Sequence, residues 1–119
     1  GRCKDVIIRG GHNINPARIE EAAMTHAQVE RAAAVPVDDG RLGERVCLAV
    51  MYRPGSDMAF HHLLEHLQGA GLSRFELPEL YLELAVLPLM SNGKIQKRDI
   101  LQWIADGRVE PLTVAAGEG

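Results

Sequence analysis

Apolar positions fall into short runs and spaced sets along the chain, and their order lays out the elements. The β-branched trio Val6-Ile7-Ile8 is closed by Gly10-Gly11, and His12-Asn13-Ile14-Asn15 returns, which predicts a hairpin. Asn15 followed by Pro16 is a helix start, although Arg18 at the third helical position leaves out the reciprocal capping box. Ile19, Ala22, Ala23 and His26 share the inner face of that helix by their spacing. Val29 to Val37 reads as a strand running out at Pro36 and the Asp38-Asp39-Gly40 turn. Val46 to Tyr52 is apolar on both faces, which predicts a central strand covered on both sides.

Pro54-Gly55 ends that strand, and Ser56 or Asp57 is expected to cap a second helix with Phe60, Leu63, Leu64 and Leu67 on one face. Gly69 and Gly71 stop it. Ser73-Arg74-Phe75-Glu76 is a capping box for a single turn before Pro78. Tyr81 to Leu87 is expected as the last long strand, and Ile100 to Ile104 lie on a last helix that Gly107 stops. The stretch from Arg108 to Gly119 has little apolar patterning and is expected to fray. The fold class is α+β: a small mixed sheet with an N-terminal β-hairpin and about three helices packed on it.

Composition narrows the function classes. The 119 residues suffice for one domain with one core. A net charge of −3 argues against nucleic acid as a partner, because phosphate binding leans on a basic excess. Two phenylalanines, two tyrosines and one tryptophan are too few for a base-stacking platform. Cys3 and Cys47 stand far apart with no metal or disulfide spacing, Cys47 inside an apolar strand as a buried thiol. No stretch reads as a signal peptide or transmembrane segment, so a reducing, cytoplasmic setting is expected. The opening Gly1-Arg2-Cys3-Lys4-Asp5 reads as a chain entered in its middle.

Candidate chemistry concentrates in Leu87-Pro88-Leu89-Met90-Ser91-Asn92-Gly93-Lys94-Ile95, where an apolar run ends at a proline and a polar turn presents one lysine. Gly93 lets the backbone beside Lys94 take a positive φ or approach a ligand closely. A lysine there is a mobile point charge suited to phosphate or carboxylate oxygens, and an ordinary solvated loop lysine is the plain alternative. The stretch is not a P-loop: Pro88 stands where the first glycine belongs, and Ile95 follows the lysine. His62 and His66 share a helix face, but no carboxylate or thiol is placed to complete a metal site, so no metal is assigned.

Taken together, the two ends of the chain resemble the C-terminal domain of adenylate-forming, AMP-dependent ligases, most of all acyl-CoA synthetases. The first match runs from Gly1-Arg2-Cys3-Lys4-Asp5 through the apolar trio and Gly10-Gly11 to Pro16-Ala17-Arg18-Ile19-Glu20. The second is the stretch from Leu87 to Ile95, and Gly43-Glu44 and Phe75-Glu76-Leu77-Pro78-Glu79 fit blocks between them. The resemblance covers about residues 1 to 105. It implies that residues 1–107 are a mobile lid on the protein's own large N-terminal domain, with residues 108–119 a poorly ordered tail. The complete enzyme would use ATP, a carboxylic acid substrate and coenzyme A, with Mg2+ held mainly by the large domain. It would form acyl-AMP and pyrophosphate, then the CoA thioester, as in fatty acid metabolism.

The same resemblance assigns roles residue by residue. Lys94 would contact the acid and the α-phosphate, and Arg2 would help hold ATP. Lys4 and Asp5 would mark the hinge, and Gly10, Gly11 and His12 would line the passage for CoA. Asn13 departs from the basic residue of many acyl-CoA synthetases, and Met90-Ser91-Asn92 replaces a threonine-rich turn. Lys94 also stands where family lysines are reversibly acetylated, which would make a lysine acetyltransferase and deacetylase partners. Two rival readings stand beside this one. One is the lid of an aryl- or amino-acid adenylating enzyme that loads a carrier protein. The other is a small α+β module that binds nucleic acid or protein.

Overall fold

The structure, a computed structural model, describes residues 6–38, 40, 43–56 and 59–114. Arg2, Lys4 and Asp5, expected at the ATP site and the hinge, lie outside the described residues. The chain opens with a hairpin of β1 (Ile7–Arg9) and β2 (His12–Ile14), paired antiparallel with Ile7 opposite Ile14. Its turn places Gly10 at φ 53° and Gly11 at φ 86°, the double left-handed geometry of a tight hairpin that only glycine adopts cheaply. Helix α1 (Pro16–Met24) starts where the sequence predicts: the Asn15 side chain accepts from the Ala17 amide, and Pro16 occupies the first helical position.

The main sheet is mixed and ordered β3-β4-β5-β6. Strands β3 (Val29–Asp38) and β4 (Glu44–Tyr52) run antiparallel. Helix α2 (Phe60–Gly69) then crosses over to bring β5 (Leu80–Glu83) alongside β4 in parallel. A 3-10 turn (Arg74–Glu76) sits between them, closed as the sequence predicts by the Glu76 carboxylate on the Ser73 amide at 2.8 Å. Helix α3 (Lys97–Ala105) follows, and Gly107 ends it at φ 79°.

Strand β4 is buried from Val46 to Val50, and its alternating side chains feed two separate cores. Val46, Leu48 and Val50 join Ala32, Ala34, Ile19, Leu63 and Leu67, with Ile7 and Ile14 of the hairpin. Cys47 and Ala49 join Ala33, Val35, Leu82, Leu87 and Ile100 on the other face. Hairpin, α1 and α2 therefore cover one side of the sheet, while the segment around Leu87 and α3 cover the other. Each fully buried aliphatic side chain contributes about 2 kcal/mol. Burial also pushes the Cys47 thiol up to about 12, so it stays protonated.

Three boundaries depart from the sequence reading. The apolar run from Tyr81 to Leu87 leaves the ladder at Glu83; Ala85 and Val86 are exposed in a bend, and only Leu87 returns to the core. Helix α2 begins after Ala59 with no side-chain cap, and Ser56 is bonded to the strand end instead, its amide to Arg53 and its hydroxyl to Gln28 at 3.5 Å. The tail expected to fray from Arg108 includes β6 (Leu112–Thr113), which pairs antiparallel with Leu80 and Tyr81. The chain is thereby tied down through Val114, whose amide donates to the Glu79 carbonyl.

The hairpin docks on the start of β4 through Gly43 and Glu44. The Ile8 amide donates to Glu44 Oε1 at 2.9 Å, and Arg9 bridges to Gly43. Gly43 sits at φ 98°, and a Cβ there would stand 2.8 Å from the Ile8 carbonyl oxygen. Gly43→Ala is expected to cost about 1–3 kcal/mol, from backbone strain at a positive φ and the close approach to Ile8. Chemical denaturation of the two proteins checks it.

Candidate functional site

Lys94 stands on a short hairpin-like loop fixed by its own backbone. Leu89 and Ile95 bridge, the Met90 amide donates to the Lys94 carbonyl at 2.7 Å, and the Gln96 amide donates to the Pro88 carbonyl at 2.8 Å. At the tip, the Gly93 amide donates to the Met90 carbonyl, and Gly93 takes φ 88°. The Asn92 side chain accepts from the Lys94 amide at 3.0 Å, so an Asx-type contact does the work of a hydroxyl-rich turn. Leu87 on one side and Ile100 on the other anchor the loop in the sheet core. The Lys94 side chain is exposed, and its ammonium has no hydrogen-bond or ion-pair partner among the described residues.

The loop borders a groove of about 330 Å³ lined by Glu20, Met24, Arg31, Lys94, Lys97 and their neighbours. The groove lies at the outer edge of β3, where α1 and the lysine loop approach from opposite sides. Glu20 ties these parts together: one oxygen accepts the Ala34 amide at 2.9 Å and pairs with Lys97 Nζ at 2.7 Å. Arg31 reaches from β3 to the Gly93 carbonyl at 3.4 Å, a long contact. Sequence reasoning singled out neither Arg31 nor the groove. The only signal was an arginine beside Glu30 at the start of a largely apolar strand.

Gly10, Gly11 and His12 lie on the other side of the sheet, with the core that holds Ile7 and Ile14. Open space surrounds the Cβ positions of both glycines. The His12 ring stacks on Phe75 at 4.0 Å and 11°. Arg9 pairs with Glu79 at 2.6 Å, so the hairpin is clamped to the segment around the 3-10 turn. The structure thus brings Gly10, Gly11 and His12 together and keeps them apart from Lys94. His66 hydrogen-bonds Thr25 at 2.7 Å and meets the His26 ring edge-on, while His61 and His62 lie against each other. Among the described residues, no three His, Cys, Asp or Glu side chains gather to hold a metal ion.

One charged group is built into the frame. Glu76 is 7% exposed, and the Arg18 guanidinium grips its carboxylate at 2.8 and 3.3 Å. That pair holds the Glu76 carboxyl below the usual carboxylate range against the opposing effect of burial, with the Ser73 amide and hydroxyl adding to it.

A profile of the AMP-binding enzyme C-terminal domain family matches residues 18–94. The human medium-chain acyl-CoA ligase ACSF2, mitochondrial, is 37% identical over 97 residues, covering 82% of this chain and 16% of its own length. A Streptomyces salicylyl-CoA synthase / salicylate adenylyltransferase is 38% identical over 109 residues, covering 89% of this chain and 20% of its own. The chain therefore spans only about a fifth or less of such relatives. Among solved structures, the amide bond synthetase McbA from Marinactinospora thermotolerans superposes at TM-score 0.78 with 30% identity, over 87% of this chain and 21% of that one. Apo MatB from Rhodopseudomonas palustris gives TM-score 0.80 with 30% identity, over 89% and 21%. Among the described residues, no helix is long and apolar enough to cross a membrane.

Two outcomes follow for stability. Because its ammonium has no hydrogen-bond or ion-pair partner among the described residues, Lys94→Ala is expected to change the unfolding free energy by less than about 0.5 kcal/mol. A carboxyl with a depressed folded-state pKa stabilises the fold above about pH 4.3, the unfolded value, and loses that stabilisation as pH falls through the folded value. Glu76→Gln is therefore expected to melt several degrees lower at pH 7, with the gap closing below about pH 4, in thermal scans taken across that range.

Proposed function

The chain belongs to the AMP-binding enzyme C-terminal domain family, and from that premise we propose that it is the mobile lid of a carboxylate–CoA ligase. The observation that carries this is the exposed Lys94 ammonium, without a partner among the described residues, on a loop ordered by its own backbone. In the first half-reaction a carboxylate oxygen of the acid attacks the α-phosphorus of ATP. The new C(O)–O–P bond forms as the bond to the pyrophosphate oxygen breaks, and pyrophosphate carries away its electron pair. Two anions must meet for this, and a cation between them offsets their repulsion and the charge gathering on the phosphoryl oxygens. Lys94 is that cation. Among the described residues no carboxylate pairs with it, which leaves its charge available to the substrates.

In the second half-reaction the thiol of CoA attacks the acyl carbon, and AMP leaves. The hairpin serves here: Gly10 and Gly11 leave a passage open where a side chain would narrow it, and His12 stands at its border, held by Phe75. Lys94 and this hairpin belong to opposite cores of one sheet, which supports a lid that turns as a body and presents them in succession. Arg2 on the nucleotide and Lys4 with Asp5 at the pivot complete the reading. Mg2+ that accompanies ATP is assigned to the large domain. A reducing compartment such as the cytoplasm suits the free, buried Cys47. Acetylation of Lys94 would remove the charge and switch the first half-reaction off.

The Streptomyces relative is named both as a CoA synthase and as an adenylyltransferase, which supports adenylation as the first step of this reading. Loading of a carrier protein in place of CoA uses the same lid and the same Lys94.

In the enzyme that carries this lid, Lys94→Ala is expected to slow acid-dependent pyrophosphate release at least about 100-fold, the range for removing one preorganised charge donor. Thioester formation from supplied acyl-adenylate should stay within a few-fold of the parent. Unchanged pyrophosphate release would refute the assignment.

A further inference from the structure

The groove beside Lys94 holds a second cation that the adenylation step does not use. Register shifts between Val29 and Arg31, so that Val29 stands opposite Tyr52 and Arg31 opposite Met51, with Glu30 as the extra residue of a β-bulge. The bulge lets Val29 stay in the core under α1 while Arg31 falls in phase with Ala33 and Val35, toward the lysine loop. Bulges of this kind re-aim a side chain beside a site. The Arg31 guanidinium donates a hydrogen bond, at 3.4 Å, to the carbonyl of Gly93, the residue before Lys94. Among the described residues it has no carboxylate partner.

Charge in the groove is unbalanced. Lys97 is matched by Glu20 at 2.7 Å, whereas among the described residues no carboxylate matches Arg31 or Lys94. The surplus is two positive charges in a groove of about 330 Å³. The two surplus cations differ in kind. A guanidinium offers a planar fork to two oxygens of one phosphoryl group, and an ammonium offers a point charge to its neighbour. A single carboxylate would leave one of them unsatisfied.

We propose that Arg31 and Lys94 together form a site for a diphosphate group, with Arg31 taking the phosphoryl unit beyond the one that Lys94 meets. In catalysis, which rests on the function proposed above, this would be the β,γ-diphosphate of ATP or the pyrophosphate it becomes. Arg31 would then hold the leaving group while Lys94 works at the α-phosphate. Binding itself does not depend on that reading. Glu20 is a positioning residue here, because it keeps Lys97 folded against α1 and the edge of β3.

The test is a titration of the 119-residue chain at low ionic strength, without added metal, followed by backbone amide chemical shifts. Separate arms use inorganic pyrophosphate, ATP, AMP and orthophosphate. Pyrophosphate and ATP should both move the amides of Arg31, Gly93 and Lys94, and the tighter of the two identifies whether substrate or product is held. AMP and orthophosphate should bind at least about tenfold more weakly, as expected when one charge-assisted contact is missing. Arg31→Gln should weaken pyrophosphate about tenfold at an unchanged melting temperature, and Arg31→Lys should fall between. The site is refuted if AMP binds as well as pyrophosphate, if the shifts lie elsewhere, or if Arg31→Gln binds like the parent. Should pyrophosphate bind here while Lys94→Ala leaves adenylation intact, the functional reading fails and the site survives. The converse result removes the site alone.

Discussion

A strand buried on both sides dictates where everything attached to it can go. The side chains of β4 alternate between two dry layers, Val46, Leu48 and Val50 on one and Cys47 and Ala49 on the other. Shifting its register by one residue would exchange the two layers wholesale. The hairpin and the lysine loop each need one of these layers, because each is anchored by a few aliphatic residues and is too small to stand alone. Their separation across the sheet is thus a packing consequence before it is a functional one. In the proposed function, a body with these two elements on opposite faces meets a fixed neighbour with one at a time.

Carboxylates fasten this body together. Glu44 takes the Ile8 amide, Glu76 takes the Ser73 amide and the Arg18 fork, and Glu20 takes the Ala34 amide and the Lys97 ammonium. Each satisfies a backbone donor that a strand edge or turn would otherwise leave open, so removing one leaves a backbone group unmet as well as a charge. Against that background the cations left over are informative. Arg18 and Lys97 are consumed by carboxylates of the frame, and among the described residues Lys94 and Arg31 are not.

Much of the frame was legible in the chain, because its signals are local. Asn15-Pro16 starts α1, Gly10-Gly11 turns the hairpin, and the double-sided apolar run marks β4 as central. The misreadings arose where a local signal has two structural meanings. Leu84 to Leu87 is apolar enough for a strand, yet only Leu87 is buried deeply, and periodicity alone does not separate a ladder from an irregular buried anchor. Ser56 reads as a helix cap, but a strand end claimed its hydroxyl first. Lys94 was legible as a candidate because two motifs frame it. Arg31 was not, since alternation puts it on the face of Ala33 and Val35 but does not show that this face meets the lysine loop.

The two residues of β6 have a practical meaning for anyone dividing the chain. Gly107 looks like a natural place to cut, since a helix ends there. Such a cut would strip Leu80 and Tyr81 of their outer neighbour and leave β5 as a bare rim. An uncovered rim recruits whatever extended peptide is nearby, including its own kind. A shortened domain would then be expected to self-associate while keeping every residue discussed at the groove and the hairpin.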